Sequence, residues 1–325
     1  MPIPAHITWK KYRRHFRKPL LTGAGKFTTR DGIVFRIEQT DGTPHFGEIA
    51  PWPGFGCETL DKAELCLIQG TLPVPAQLPC TAAAFSMARL RAKSNLPATP
   101  LRVAALLSTT TPLAALATKR AMGFSTFKFK ITANSLPMAQ LILEKLQPNE
   151  RLRLDANASL NSLDAWLEIW ADERIEFLEQ PLPHNRMTQR QLAQLPDVLL
   201  QKLALDESVA HAVTLPNDWP GILIIKPLLL GDWDAFRHWR NMHPNTSLVY
   251  SSCFETAIGR EAILHLATED VASSKIAHGL DTLGQFENDA WAAHADGITA
   301  SILNQPQDTW EAWWQNTPGE IFSAP

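Results

Sequence analysis

Five ionisable side chains stand at nearly regular intervals along this chain of 325 residues. They are Lys130, Asp155, Glu179, Asp206 and Lys226, separated by 25, 24, 27 and 20 residues. Each interval is about the length of one strand–helix unit. Three carboxylates brought together repel one another unless a cation lies between them. Oxygen donors alone, with room left for water and substrate, suit Mg²⁺, with Mn²⁺ a close second. No His or Cys stands at these positions, which argues against zinc. Lysines beside such an ion are disfavoured in their charged form, and in "TFKFKI" (126–131) Lys128 adds a second cation next to Lys130. Both effects lower a lysine pKa toward working pH. A lysine so tuned can take a weakly acidic proton α to a carboxylate, and the ion can hold the resulting enediolate.

These residues need elements that deliver them to one place. From about residue 100, short β-rich runs recur: VAALL (103–107), TFKFK (126–130), RLRLD (151–155), IEFLE (175–179), LQKLALD (200–206), ILIIK (222–226), LVYSS (248–252) and KIAHG (275–279). Helical periodicity fills the gaps. TPLAALATKRAMG ends at Gly123, a natural residue to follow a helix, and SLNSLDAWLEIW spaces Leu163, Trp166, Leu167 and Trp170 by three and four. GDWDAFRHWRNMH and ETAIGREAILHLATE, the latter with an acidic first turn, read the same way. Eight strands alternating with helices predict parallel βαβ units closed into a TIM-type (β/α) barrel. A doubly wound open sheet is the structural rival, but VAALLSTTTP lacks the Gly-rich nucleotide turn. Along the second strand, alternation turns Phe127, Phe129 and Ile131 one way and the two lysines the other. All five ionisable residues then end consecutive strands, at the C-terminal mouth where barrel enzymes do chemistry. Each alone has a plainer explanation: Asp155 in an Asx turn, Glu179 as a loop acid, Asp206 as a helix N-cap, Lys226 on the rim. Together they point to a site.

Residues 1–100 differ. HITWKKYRRHF, GIVFRIEQ and HFGEIA read as antiparallel strands, followed by helical ETLDKAELCLIQG and TAAAFSMARLRAK. This predicts an α+β capping domain over 1–100, a barrel over 101–287, and a segment 288–325 whose Trp310, Trp313 and Trp314 pack back on the body. GAGKF (23–27) fails the phosphate-loop pattern, with Leu at 20 and Phe at 27, and reads as a Gly-rich surface loop. Net charge is −3 with the signs well mixed, which excludes a nucleic-acid or membrane footprint. No apolar run approaches the ~20 residues that span a bilayer, and the opening does not read as a signal peptide. Four cysteines without CxxC spacing read as reduced thiols in a cytoplasmic compartment. Oligomeric state is left open.

The barrel pattern resembles the muconate-lactonising subgroup of the enolase superfamily: "KFK" on strand two, Asp, Glu and Asp closing strands three to five, Lys closing strand six. Enolase-superfamily sites are a general example of a Lys or His base working with Mg²⁺-stabilised enediolates, so this pairing is not a new deduction. Within the subgroup, "FGEIAPWPGFGCETL" (46–60), "DAN" (155–157), "EQPL" (179–182), "LDES" (205–208), "SSCFETAIG" (251–259) and "HGLDTLG" (278–284) are most similar to the o-succinylbenzoate synthase family of the cyanobacterial and plant type. The resemblance implies a capping domain, a barrel and a C-terminus returned to the cap. It implies Mg²⁺-dependent syn-dehydration of the small carboxylate 2-succinyl-6-hydroxy-2,4-cyclohexadiene-1-carboxylate, in menaquinone or phylloquinone synthesis. Asp155, Glu179 and Asp206 would be metal ligands, and Lys130 the base that then acts as acid toward the departing hydroxyl. Lys226 would stabilise the enediolate, and Lys128 would tune Lys130 and contact the carboxylate. Asn157, Ser251, Ser252 and Gly279 would line the substrate pocket, and loops near 21–27 and 50–57 would close it. The same lysine pair also serves N-acylamino-acid racemases and dipeptide epimerases, where Lys130 and Lys226 would act as two bases.

Overall fold

In the computed structural model, residues 6–22, 25–38, 42–90, 100–184, 194–210, 215–292, 297–301 and 307–324 are described. The N-terminal strands β1 (His6–Thr22), β2 (Gly25–Glu38) and β3 (Pro44–Ile49) form an antiparallel meander. Along the middle of β1 alternate residues Tyr12, Arg14 and Phe16 are buried while Lys11, Arg13 and His15 are exposed, as period two requires of a sheet with one wet face. Helices Leu60–Gln69 and Pro79–Ala88 follow.

Then comes a short strand β4 (Leu101–Arg102), and after it the parallel strands: β5 (Ala105–Leu106), β6 (Thr126–Lys130), β7 (Arg151–Asp155), β8 (Ile175–Glu179), β9 (Leu203–Leu205), β10 (Ile222–Ile225) and β11 (Ser247–Tyr250). These seven lie in one sheet in the order β11-β10-β9-β8-β7-β6-β5. The strand expected over 275–279 is much shorter, because Val271–Lys275 is a 3₁₀ turn. It nevertheless closes the ring. His278 bridges Val103 on one edge and Gly279 bridges Ser251 on the other. His278 exchanges backbone hydrogen bonds with Ala104 and Arg102 at 2.9 and 2.7 Å, and Gly279 with Ser252 and Tyr250 at 2.9 Å each. The fold is thus an α/β barrel with an antiparallel cap. The strand expected over 200–206 is confined to β9 because Asp197–Leu200 is helical.

Phe177, Ala204, Ile222, Ile224 and Val249 form a core of their own, contributed by four neighbouring strands. Two residues beyond Phe177, Ala204 and Ile224 stand Glu179, Asp206 and Lys226, so alternation carries these onto the same side, one layer nearer the mouth. Below Asp155 sits Arg153, 1% exposed, with Nε 2.6 Å from Glu176 and a guanidinium N–H donating to Ala277 O at 2.6 Å.

Polar ties join the cap to the barrel. The carboxylate of Glu48, fully buried at the end of β3, accepts from Thr256 N, Thr256 Oγ1 and Gly259 N, and from Tyr12 Oη at 2.6 Å. It thereby satisfies the N-terminus of helix Ala257–Glu269. The acidic first turn expected in that helix is absent: Glu255 lies ahead of it and receives Ser252 Oγ and Cys253 N instead. Arg30 donates to the carbonyls of Ala50, Pro51 and Cys253, spanning both parts. After β12 (Thr299–Ala300), which pairs with β4, helix Gln307–Asn316 brings Trp314 against Tyr12, Val34 and Phe46. β13 (Phe322–Ser323) then pairs with β1 at Thr8↔Ser323. No helix among the described residues is long and apolar enough to cross a membrane.

Candidate active site

Parallel pairing sets the rim of the barrel. Lys130 is level with Asp155, and Asp155 with Glu179. Asp206 and Lys226 each come one residue after their strands, β9 and β10. Following the sheet order, the two lysines therefore flank a row of three carboxylates. Asp155, Glu179 and Asp206 are 2%, 1% and 5% exposed, so their charges require partners. Lys128 Nζ lies 2.9 Å from Asp155 and 2.8 Å from Glu179, and Lys226 Nζ is paired with Asp206. Asp155 also takes Asn157 N at 3.0 Å, so it does form the Asx turn that was its plainer explanation.

These charges set the proton affinities. Burial, together with neighbouring Lys128, pushes the Lys130 ammonium below its ordinary pKa against the pull of Asp155. Lys128 moves the other way. Burial opposes its charge, but Asp155, Glu179 and Asp206 outweigh burial and raise it. The sequence expectation that the lysines on either side of the ion fall thus holds for Lys130 and not for Lys226, while Lys128 is in contact with two acids. Lys226 is likewise raised, with Asp206, Glu207 and Glu179 prevailing over burial. Asp155 is lowered because Lys128 and Lys130 overcome its burial, while burial and Asp155 lift Glu179 to about 7.

A pocket opens at this end. Lys128, Lys130, Asp155, Asn157, Asp206 and Lys226 line it from the second, third, fifth and sixth strands of the barrel, and Ser251, Ser252 and Gly279 from the last two. Glu179 is not on its surface; it sits behind Lys128. Trp52 and Phe55 reach the pocket from the 50–57 loop, and Leu20 comes from β1; residues 23–24 of the other expected loop lie outside the described residues. The Phe55 ring is 5.4 Å from Lys226 Nζ.

Three further polar positions at or beside the site escaped the sequence reading. Gln180, fully buried with φ +37°, accepts from Asp206 N at 3.1 Å and Ser208 N at 2.9 Å, locking the β8 and β9 ends together. Glu207 accepts from Asn157 Nδ2 at 3.3 Å, has its other oxygen buried without a hydrogen-bond partner among the described residues, and is lifted to about 8 by burial and Asp206. Asp281 faces the pocket while holding Lys119 at 2.6 Å. The motifs EQPL, LDES and HGLDTLG contained all three, but nothing in their types separates them from turn residues.

The donor set fits a hard divalent cation: three carboxylates on neighbouring strands, two of them already sharing one ammonium. Their oxygens stand wider apart than an ion needs. Among the described residues the triple whose donor atoms all lie within 4.8 Å is Cys57, Glu58 and Cys80. Oxygens around Mg²⁺ stand at most about 4.2 Å apart, so Asp155, Glu179 and Asp206 would hold the ion only after their side chains shifted and loosened their lysine pairs.

Against this geometry the relatives are informative. An o-succinylbenzoate synthase from Thermosynechococcus vestitus is 36% identical over 286 residues, covering 79% of this chain and 87% of that protein. The chain belongs to the o-succinylbenzoate synthase family. A family model described as "Enolase C-terminal domain-like" matches residues 112–216, which hold four of the five ionisable rim residues, Lys130, Asp155, Glu179 and Asp206. The crystal structure of the o-succinylbenzoate synthase from Thermosynechococcus elongatus BP-1, complexed with Mg in its active site, superposes with a TM-score of 0.78 at 29% identity, covering 96% of this chain and 100% of that one. A muconate lactonizing enzyme complexed with muconolactone shares the fold, with a TM-score of 0.72 at 18% identity over 91% of this chain and 93% of that one. Family membership accounts for the cap, the barrel and the row of acids in one chain.

Proposed function

We propose that this chain dehydrates 2-succinyl-6-hydroxy-2,4-cyclohexadiene-1-carboxylate to o-succinylbenzoate, in the cytoplasm and with Mg²⁺. The observation that carries the reading is a pair of lysines flanking three buried carboxylates in a chain 36% identical to an o-succinylbenzoate synthase. Lys130, lowered by burial and by Lys128, takes the proton α to the carboxylate as its neutral amine. The electrons left behind move onto the carboxylate as an enediolate. Lys130, now protonated, returns the proton to the hydroxyl leaving from the same face, the C–O bond breaks, and the ring becomes aromatic. Lys226, kept cationic by Asp206, faces the developing negative charge from the other end of the row and stabilises it without exchanging protons. Lys128 holds Asp155 and Glu179 in position. Asp155, Glu179 and Asp206 would hold the divalent ion, which when bound supplies positive charge at the carboxylate. Asn157, Ser251, Ser252 and Gly279 form the wall against which the ring and succinyl group would lie.

The test offers purified protein the cyclohexadiene substrate and an N-succinylamino acid side by side, with and without EDTA. EDTA-sensitive loss of the diene absorbance, with no exchange of the amino acid's α-hydrogen, supports the assignment. Exchange without dehydration would transfer it to the two-base epimerisation.

A further inference from the structure

Away from the row of acids, the cap holds a second reactive cluster. Cys57, Glu58 and Cys80 have donor atoms within 4.8 Å of one another. Glu58 is already engaged: its buried carboxylate accepts from Cys80 N at 3.1 Å, Thr81 N at 2.7 Å and Thr81 Oγ1 at 3.0 Å, satisfying the N-terminus of helix Pro79–Ala88. That leaves two sulfurs facing each other. Trp52 N donates to Cys57 Sγ at 2.8 Å, and the Cys80 thiol donates to the same sulfur. The two thiols are unlike. Cys57 is half-buried, and donation from Cys80, joined by Trp52 N, holds it below its ordinary pKa despite burial. Cys80 is completely buried, and burial drives its pKa well up. A partly accessible sulfur with a lowered pKa, backed by a buried thiol within reach, is the arrangement that redox-responsive pairs use.

We propose that Cys57 and Cys80 are an oxidisable dithiol, which a hydroperoxide converts to a disulfide tying the 52–57 segment to helix Pro79–Ala88. The Cys57 thiol loses its proton and its sulfur attacks the peroxide oxygen; the O–O bond breaks, giving a sulfenic acid and a hydroxide that takes up that proton and leaves as water. The Cys80 sulfur then attacks Cys57 Sγ, the S–O bond breaks, and hydroxide leaves with the Cys80 proton as a second water. Two thiols lose two protons and two electrons, and hydrogen peroxide is reduced to two waters. Trp52 and Phe55 lie in the same segment and wall the pocket, so the bond fixes the cap side of the site.

The experiment uses the reduced full-length protein and hydrogen peroxide, followed by denaturation, thiol counting and peptide mapping. Free thiols should fall from four to two, with a Cys57–Cys80 linked peptide that dithiothreitol abolishes. Cys57→Ser should keep its three remaining thiols, and Cys80→Ser should accumulate a sulfenic acid at Cys57 that dimedone captures. The wild-type map decides the matter if either variant fails to fold. Four thiols surviving, Cys57 reaching sulfinic acid without linkage, or a stoichiometric metal held by the thiols in the purified protein would each overturn the proposal.

Discussion

Gln180→Ala isolates what holds the row of acids in line. The wild-type amide makes four hydrogen bonds in a fully buried position: Oε1 accepts from Asp206 N and Ser208 N, while Nε2 donates to Leu182 O at 2.8 Å and Ser208 Oγ at 2.9 Å. Truncation leaves two backbone N–H groups and one carbonyl without partners. Each buried unsatisfied group costs about 1–3 kcal/mol. Ser208 Oγ can turn to other acceptors, and Asp206 lines the neighbouring pocket, so the low end is expected and the loss is about 3–5 kcal/mol. Gln180→Glu is the control. Its carboxyl, kept protonated by burial among the acids, accepts from both N–H groups with one oxygen and donates to Leu182 O with the other, for a loss of about 1–2 kcal/mol. Urea unfolding should therefore rank the midpoints wild type, then Glu, then Ala, with unchanged slopes. The same substitution frees the hinge between Glu179 and Asp206. Mg²⁺ affinity of the folded Ala variant, read by calorimetry, should fall about 10–100-fold, as is usual when the groups behind metal ligands are removed. A wild-type midpoint together with wild-type Mg²⁺ affinity would refute the assignment of Gln180 as the clamp.

Lys130→Ala should lower kcat by at least about 10²–10⁴-fold while Mg²⁺ binding by calorimetry persists, since the side chain moves protons and is not a ligand; turnover at the wild-type rate would remove it from the mechanism. Asp206→Asn should instead weaken Mg²⁺ itself, and added Mg²⁺ should recover part of the lost rate. Gly259→Ala would put a methyl 2.5 Å from Glu48 Oε2 and 2.8 Å from Glu255 Cβ, and should cost about 1–3 kcal/mol in urea unfolding, because Glu48 is fixed by its other donors. Glu150 supplies a pH test far from the site. Burial works against its charge, but Arg120 at 2.6 and 2.7 Å and Gln147 N overcome it and lower its pKa. Its contribution is thus complete above the unfolded carboxylate pKa of about 4.3 and is lost as pH falls through the lower folded value. Glu150→Gln should lose less stability than wild type between pH 5.5 and 3, measured by urea midpoints at each pH.

The rim was legible because parallel strands all end at one mouth. A polar residue closing each apolar run is then a statement about position, and Lys130, Asp155, Glu179, Asp206 and Lys226 were readable from spacing alone. The cap's hold on the barrel was not. Glu48 serves Thr256 and Gly259 from 208 and 211 residues away, and no local pattern distinguishes it from a solvated strand acid. The last strand was misjudged for a related reason: its two bridging residues, His278 and Gly279, are held by β-edge partners on both sides and do not need a β-rich run of their own. Lys128 and Lys130 show where reading by residue type stops. They share a face, two residues apart, and a rule about neighbouring cations moves them together. Their difference comes from reach: Lys128 contacts both Asp155 and Glu179 and keeps its proton, and its retained charge is part of what depresses Lys130. The acids thus act on the base in two opposed ways, directly by raising it and through Lys128, whose charge they retain. Neutralising Lys128 as Met should raise the pKa of Lys130 and shift the rising limb of kcat/KM to higher pH, whereas a lysine tuned by burial alone would leave that limb in place.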